Sequence, residues 1–188
     1  MPYPYKIKFA AVSNLTSARY AAAMEADYIG FCFDQQSQAF ITVEKAKEII
    51  QWCTGVSFIG EFRNKPVDEI FAIAAELQLD GVELCGNYSD AELNLLNGLI
   101  IMRIGNVDDY RKCSKLADYF IAEFEATNFI PADKLFLDYN PADNSNNSFH
   151  QIKVTGININ ALPEELTGII DFEPITVFLE SITQERGL

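Results

Sequence analysis

Ala26-Asp27-Tyr28-Ile29-Gly30-Phe31-Cys32-Phe33 is the stretch from which the architecture can be read. Its sense returns at Leu79-Asp80-Gly81-Val82-Glu83-Leu84-Cys85 and again at Ala117-Asp118-Tyr119-Phe120-Ile121-Ala122-Glu123. Each time, a segment with helical spacing runs into a small or apolar residue, then Asp, then a short β-prone run. A polar loop follows at the far end. A helix that stops, a sharp turn and a buried parallel strand make a βα repeat.

Working outward, the same rhythm covers the chain. Strands are predicted at Tyr5–Ala10, Tyr28–Phe33, Val56–Phe62, Gly81–Cys85, Leu99–Ile104, Tyr119–Glu123, Lys134–Asp138 and Gln151–Ile157. Helical spacing falls at Ala18–Glu25, Val43–Trp52, after Asn64-Lys65-Pro66, after Ser89-Asp90, at Val107–Leu116 and at Phe172–Thr183. Asn14 to Ser17 and Thr42 supply N-cap chemistry for the first two helices. The connections Phe124–Asp133 and Tyr139–His150 are too short or too polar for full helices, and Asn140 to Ser148 is a loop by composition. Eight strands of one kind point to an α/β fold, a closed (β/α)8 TIM-type barrel as a single domain over residues 1–188. Its connections after strands six and seven are shortened, which would thin the outer ring there. An open doubly wound sheet is the competitor and usually has fewer strands.

The bulk numbers narrow the function classes. At 188 residues the chain supports one substantial core. A hydrophobic share of 49% with 22% charged residues is globular. A net charge of −13 argues against nucleic acid as a partner, because its phosphates would be repelled. The four cysteines (Cys32, Cys53, Cys85, Cys113) are widely spaced, as expected of free thiols in a reducing compartment. With only His150 beside them, a structural zinc is not expected. No apolar run approaches a membrane span, and the N-terminus lacks signal-peptide character. The expectation is a cytoplasmic protein, monomer or homodimer, with no metal, cofactor or membrane partner and a possible small-molecule ligand at the barrel mouth.

In such a barrel, chemistry belongs at the C-terminal strand ends. There the sequence resembles phosphoribosylanthranilate isomerase, the Amadori-rearrangement enzyme of tryptophan biosynthesis. Ala26 to Phe33 is similar to that family's "GAD-x-x-GF-x-F", Ile59-Gly60-Glu61-Phe62-Arg63-Asn64 to its "VGVFVN", and Leu79 to Gly86 to its "L-x-x-VQLHG". The resemblance implies a general base and a general acid flanking the substrate, with amide donors for its phosphate.

Several family positions are replaced. The base cysteine falls on Ala10 in Lys8-Phe9-Ala10-Ala11, and the substrate-neutralising arginine falls on Ala39. The general-acid aspartate becomes Glu123, the histidine of "QLHG" becomes Cys85, and the glutamine before it becomes Glu83. Of the phosphate glycines after strands six to eight, only Gly156 matches. The expectation is a divergent homologue whose isomerase activity is lost or strongly reduced. Glu83, Glu123 and Asp138 would also oppose an anionic substrate. Two unit charges ~6 Å apart at an effective dielectric of ~20 repel by roughly 3 kcal/mol.

Two alternatives stay open. One is an active isomerase, or an enzyme of another proton transfer, using Glu123 with Cys85 or Asp138, with Lys8, Glu83, Arg103 and Gly156 as binding residues. The other is a non-catalytic binding or interaction protein. Each residue also has a structural reading. Glu83 and Glu123 could pair with Lys8 and Arg103, inward by alternation. Cys85 could be an inert buried thiol, Asp138 a cap, and His150 an exposed loop residue.

Overall fold

The computed structural model describes residues 3–113, 115–141, 152–160 and 170–184. Eight parallel strands close into a barrel in chain order. They are β1 (Lys6–Ala10), β2 (Tyr28–Cys32), β3 (Ser57–Arg63), β4 (Gly81–Cys85), β5 (Leu99–Arg103), β6 (Tyr119–Ala122), β7 (Leu135–Tyr139) and β8 (Gly156–Asn160). The helices described outside it are α1 (Leu15–Ala23), α2 (Val43–Ile50), α3 (Val67–Leu77), α4 (Asp90–Leu93), α5 (Val107–Cys113) and α6 (Glu173–Gln184). The side chains of Asn14, Thr42 and Ser89 each accept a backbone N–H at the start of α1, α2 and α4, as capping chemistry requires. No helix among the described residues is long and apolar enough to cross a membrane.

The recurrent Asp has a structural reason. Asp27 donates its backbone N–H to the Ile7 carbonyl at 2.9 Å, and its Oδ2 accepts the Ile7 N–H at 2.8 Å. Asp80 grips Phe58 in the same way at 2.9 and 2.7 Å, and Asp118 grips Ile100 at 2.9 and 2.9 Å. In each case the partner is the second residue of the preceding strand, so alternate strand pairs are clamped at the N-terminal rim. Replacing Asp80 with alanine leaves the Phe58 N–H without its carboxylate. Urea unfolding should register a loss of about 1–3 kcal/mol, with the smaller part of it recovered by Asp80→Asn.

Inside the barrel, Ile59, Ile101, Ile121 and Phe136 form a sealed apolar layer, with Tyr28, Leu99 and Tyr119 packed below it. A second, larger core lies between the outward strand faces and the helices.

Two expectations need correcting, concerning β8 and Glu123, and a third gains its form. Strand eight starts and ends later than the sequence suggested: Ile157, not Val154, stands beside Ile7. Gly156 therefore lies at the N-terminal end of β8, level with Lys6, and not at the ligand-facing rim. Its lack of a side chain serves packing, since a Cβ there would fall 2.3 Å from the Phe136 ring.

Second, the β6–β7 connection is short as expected, and it still covers the strands beside it. It forms 3-10 turns at Phe124–Phe129 and Ala132–Lys134. Phe120, Ala122, Leu135 and Leu137 are buried beneath it. Tyr110 sets its ring edge-on against Phe120, 4.9 Å between centroids, and Phe129 packs on Tyr110. Third, Glu123 is not an inward strand residue. β6 ends at Ala122, and Glu123 is exposed where the chain turns away. The loop segment 142–148 and His150 lie outside the described residues.

Candidate functional site

Above the apolar layer, the inward positions become charged. Lys8 on β1 is fully buried. Its Nζ lies 2.5 Å from Glu61 Oε1, 2.7 Å from Glu83 Oε2 and 2.9 Å from Asn158 Oδ1. Glu83 Oε2 makes no hydrogen bond of good geometry, so its pairing with Lys8 is a charge contact. Arg103 donates Nε–H to Glu83 Oε1 at 2.8 Å and Nη1–H to Asp138 Oδ2 at 2.5 Å. Asn158 returns Nδ2–H to Asp138 Oδ1 at 2.7 Å. Lys8, Glu83, Arg103, Asp138 and Asn158 thus close a ring across five strands, with Glu61 as an appendage on Lys8.

Glu61 also reaches the end of β1. Its two carboxylate oxygens accept the Ala11 N–H at 3.2 and 3.1 Å. Ala11 takes a left-handed φ of 54°, uncommon for a residue with a Cβ. Ala10, one residue before it, is only 2% exposed.

The electrostatics follow from burial and partners. Burial alone would raise the Glu83 carboxyl, but Lys8 and Arg103 outweigh it and hold its pKa at about 2. For Glu61, burial wins over the single lysine and raises the pKa. Burial opposes the Lys8 charge, yet Glu61 and Glu83 overcome it and raise its pKa. The same balance, with Glu83 and Asp138 as partners, keeps Arg103 charged.

The ring therefore joins four of the expected residues: Lys8, Glu83, Arg103 and Asp138. It leaves out Glu123. Level with Arg103 on β6 stands Ile121, so Glu123 is carried two residues higher up the barrel, and Asp138 takes the guanidinium instead. Glu61 and Asn158 were missed. The signal for Glu61 was present, because it shares its inward phase with Ile59 in the quoted Ile59-Gly60-Glu61.

Next to the ring, a cleft of about 1270 Å³ opens over the C-terminal ends of β4, β5 and β6. Cys85, Arg103 and Glu123 all line it, whereas Lys8, Asp138, Ala10 and Gly156 do not. The half-buried Cys85 thus shares open space with the exposed Glu123.

The sequence model of N-(5'-phosphoribosyl)anthranilate (PRA) isomerase matches residues 7–122, well over half of the chain. The chain belongs to the PRA isomerase family. A PRA isomerase of Bacillus cereus is 37% identical over 101 residues, 53% of this chain and 49% of that protein. The chain spans about half the length of the curated relatives it matches. A monomeric form of the dimeric PRA isomerase of Thermotoga maritima superposes with a TM-score of 0.80 at 22% identity, covering 98% of this chain and 100% of that one. A PRA isomerase in complex with reduced 1-(o-carboxyphenylamino)-1-deoxyribulose 5-phosphate gives 0.79 at 23%, again over 98% and 100%. At such identities these two likenesses speak for the barrel alone. The family match ends at Ala122, the last residue of β6.

Proposed function

We propose that this member of the PRA isomerase family keeps the barrel while isomerase turnover is lost or strongly reduced. The observation that carries this reading is the closed ring of charges in the barrel mouth beside Ala10. With the appended Glu61, three carboxylates stand against two cations there, an excess of one acidic group. Ala10, at the position the family resemblance gives to the base, has no proton to exchange and is closed to solvent.

The ligand named for the solved relative carries both a carboxyl group and a phosphate. A ligand of that charge approaching this mouth would meet net negative potential, with Lys8 and Arg103 already paired to carboxylates. Loss of a positioned base costs about 10²–10⁴-fold by itself, and the repulsion adds to it. The test is direct. Purified protein given N-(5'-phosphoribosyl)anthranilate should show no fluorescence change above the uncatalysed rate. It should also leave a tryptophan auxotroph lacking the isomerase unable to grow, and growth rescue would refute the reading.

A second reading has its own support. Cys85 and Glu123 face one cleft, so a thiol and a carboxylate are available together for proton transfer on a ligand less anionic than the family's. Asp138 drops out of that pair, being bound to Arg103, Asn158 and Asn160.

A further inference from the structure

Arg103 is the only member of the ring that also lines the cleft. Its side chain is 26% exposed, where Lys8 and Glu83 are sealed. Nε and Nη1 are committed to Glu83 and Asp138, and Nη2 has no partner among the described residues. The guanidinium is planar and rigid, so two carboxylates holding two of its nitrogens fix where the third points. Arg103 lines the cleft, so the two N–H donors of Nη2 are held in a set direction beside that space.

The charge around that donor decides what it can take. Glu83 and Asp138 already balance the guanidinium. The cleft walls add Asp90, Glu92, Asp109 and Glu123 against Lys112 alone. An anion entering would find its cation neutralised and its surroundings negative. A cation would be drawn to the wall carboxylates and would leave the Nη2 donor unused. What remains is an uncharged acceptor. Ile104, Val107 and Phe129 furnish apolar wall for the rest of such a molecule.

We propose that the cleft above β4, β5 and β6 binds a small uncharged carbonyl compound with an apolar ring or chain, its oxygen accepting hydrogen bonds from Nη2 of Arg103. The inference rests on the second reading above for the choice of cleft, and is independent of whether isomerase turnover survives. Turnover of N-(5'-phosphoribosyl)anthranilate would remove the first reading, whereas this binding is decided by the neutral probe and the Arg103 variant.

The test uses three probes of one shape: benzamide, benzoate and benzylamine, titrated into the full chain and followed by ligand-observed NMR. Benzamide should bind at least about tenfold more tightly than benzoate, with a dissociation constant at or below about 10 mM, as expected of so small a molecule, and any benzylamine held by the wall carboxylates should not respond to Arg103→Lys. Arg103→Lys keeps a cation between Glu83 and Asp138 but removes Nη2, and should weaken benzamide about tenfold. Gly105→Phe is the second variant, needed if Arg103→Lys fails to fold. Gly105 lines the cleft, and a Cβ there meets nothing within 4 Å, so a large side chain can be placed at the cleft wall without disturbing the barrel. It should change benzamide affinity at least about threefold. Benzoate binding as tightly as benzamide overturns the proposal. So does benzamide binding unchanged by Gly105→Phe, or none detected by about 10 mM.

Discussion

Replacing Lys8 with methionine should lower folding stability by about 3–5 kcal/mol, the cost of leaving buried carboxylates without their cation. Methionine matches the lysine stem in length, so packing changes little and the loss reports on charge. Glu61 would retain only the Ala11 N–H, and Glu83 only Arg103. A double variant, Lys8→Met with Glu61→Gln, removes charge of both signs and should lose clearly less than Lys8→Met alone. Urea unfolding at neutral pH measures both. Equal losses would mean that the Glu61 carboxylate is not held by Lys8 in solution.

The same ring sets the acid limb of stability. Glu83 is held at about 2 against an ordinary value of 4.5. A depressed carboxyl contributes stability that is complete above 4.5 and is lost as pH falls towards 2. The shift is worth roughly 3 kcal/mol. Glu61 acts with the opposite sign. Its pKa is raised, so the folded state takes its proton before the unfolded chain does, and mild acid stabilises the fold through it. Stability should therefore rise slightly on descending towards pH 4.5 and fall steeply below it. Glu83→Gln should flatten the lower limb. At the basic end, the raised Lys8 pKa adds stability that is lost only as pH climbs above 10.5.

The barrel was readable because its local signals agree. Each Asp of the repeat must meet a strand N–H, and that requirement stamps the same short pattern on β2, β4 and β6. β8 is placed too early because its inward residues are Asn158 and Asn160, which strand propensity disfavours. The better-looking run Ile152 to Thr155 lies just before it. Here the tertiary need for an amide between Lys8 and Asp138 outweighs propensity.

The site divides in the same way. Period-two alternation suffices to turn Lys8, Glu83 and Arg103 inward. It cannot say which acid each cation meets, because that depends on how the strands are staggered around the barrel. Stagger lifts Glu123 out of reach of Arg103 and brings Asp138 in. Gly156 illustrates the reverse hazard. A glycine near a strand matched a phosphate motif, while its position is fixed by the Phe136 ring at the other end of the barrel.

The second large effect is expected from Gly30→Ala, and it bears on how the mouth came to be filled. A Cβ on Gly30 would lie 1.9 Å from Glu61 Oε1, 2.7 Å from its Cδ and 2.9 Å from Lys8 Nζ. The Glu61 side chain is long, but Lys8 and the Ala11 N–H pin its end, so it cannot step aside without giving up a buried ion pair. Overpacking and the lost pairing together should cost about 3 kcal/mol. Glu61→Val, the residue type at this place in the resembled motif, clears the space and leaves the ring of two cations and two anions without its appendage. Lys8 then still holds Glu83 and Asn158. In that background Gly30→Ala should cost less than about 1 kcal/mol, a coupling near 2 kcal/mol between residues on adjacent strands. Additive losses would show that the carboxylate does not occupy the space over Gly30, and the case for a self-filled barrel mouth beside Ala10 would go with it. Strong coupling would mean that the bare glycine is required by the carboxylate, tying one side of the closed mouth to a single acidic residue on β3.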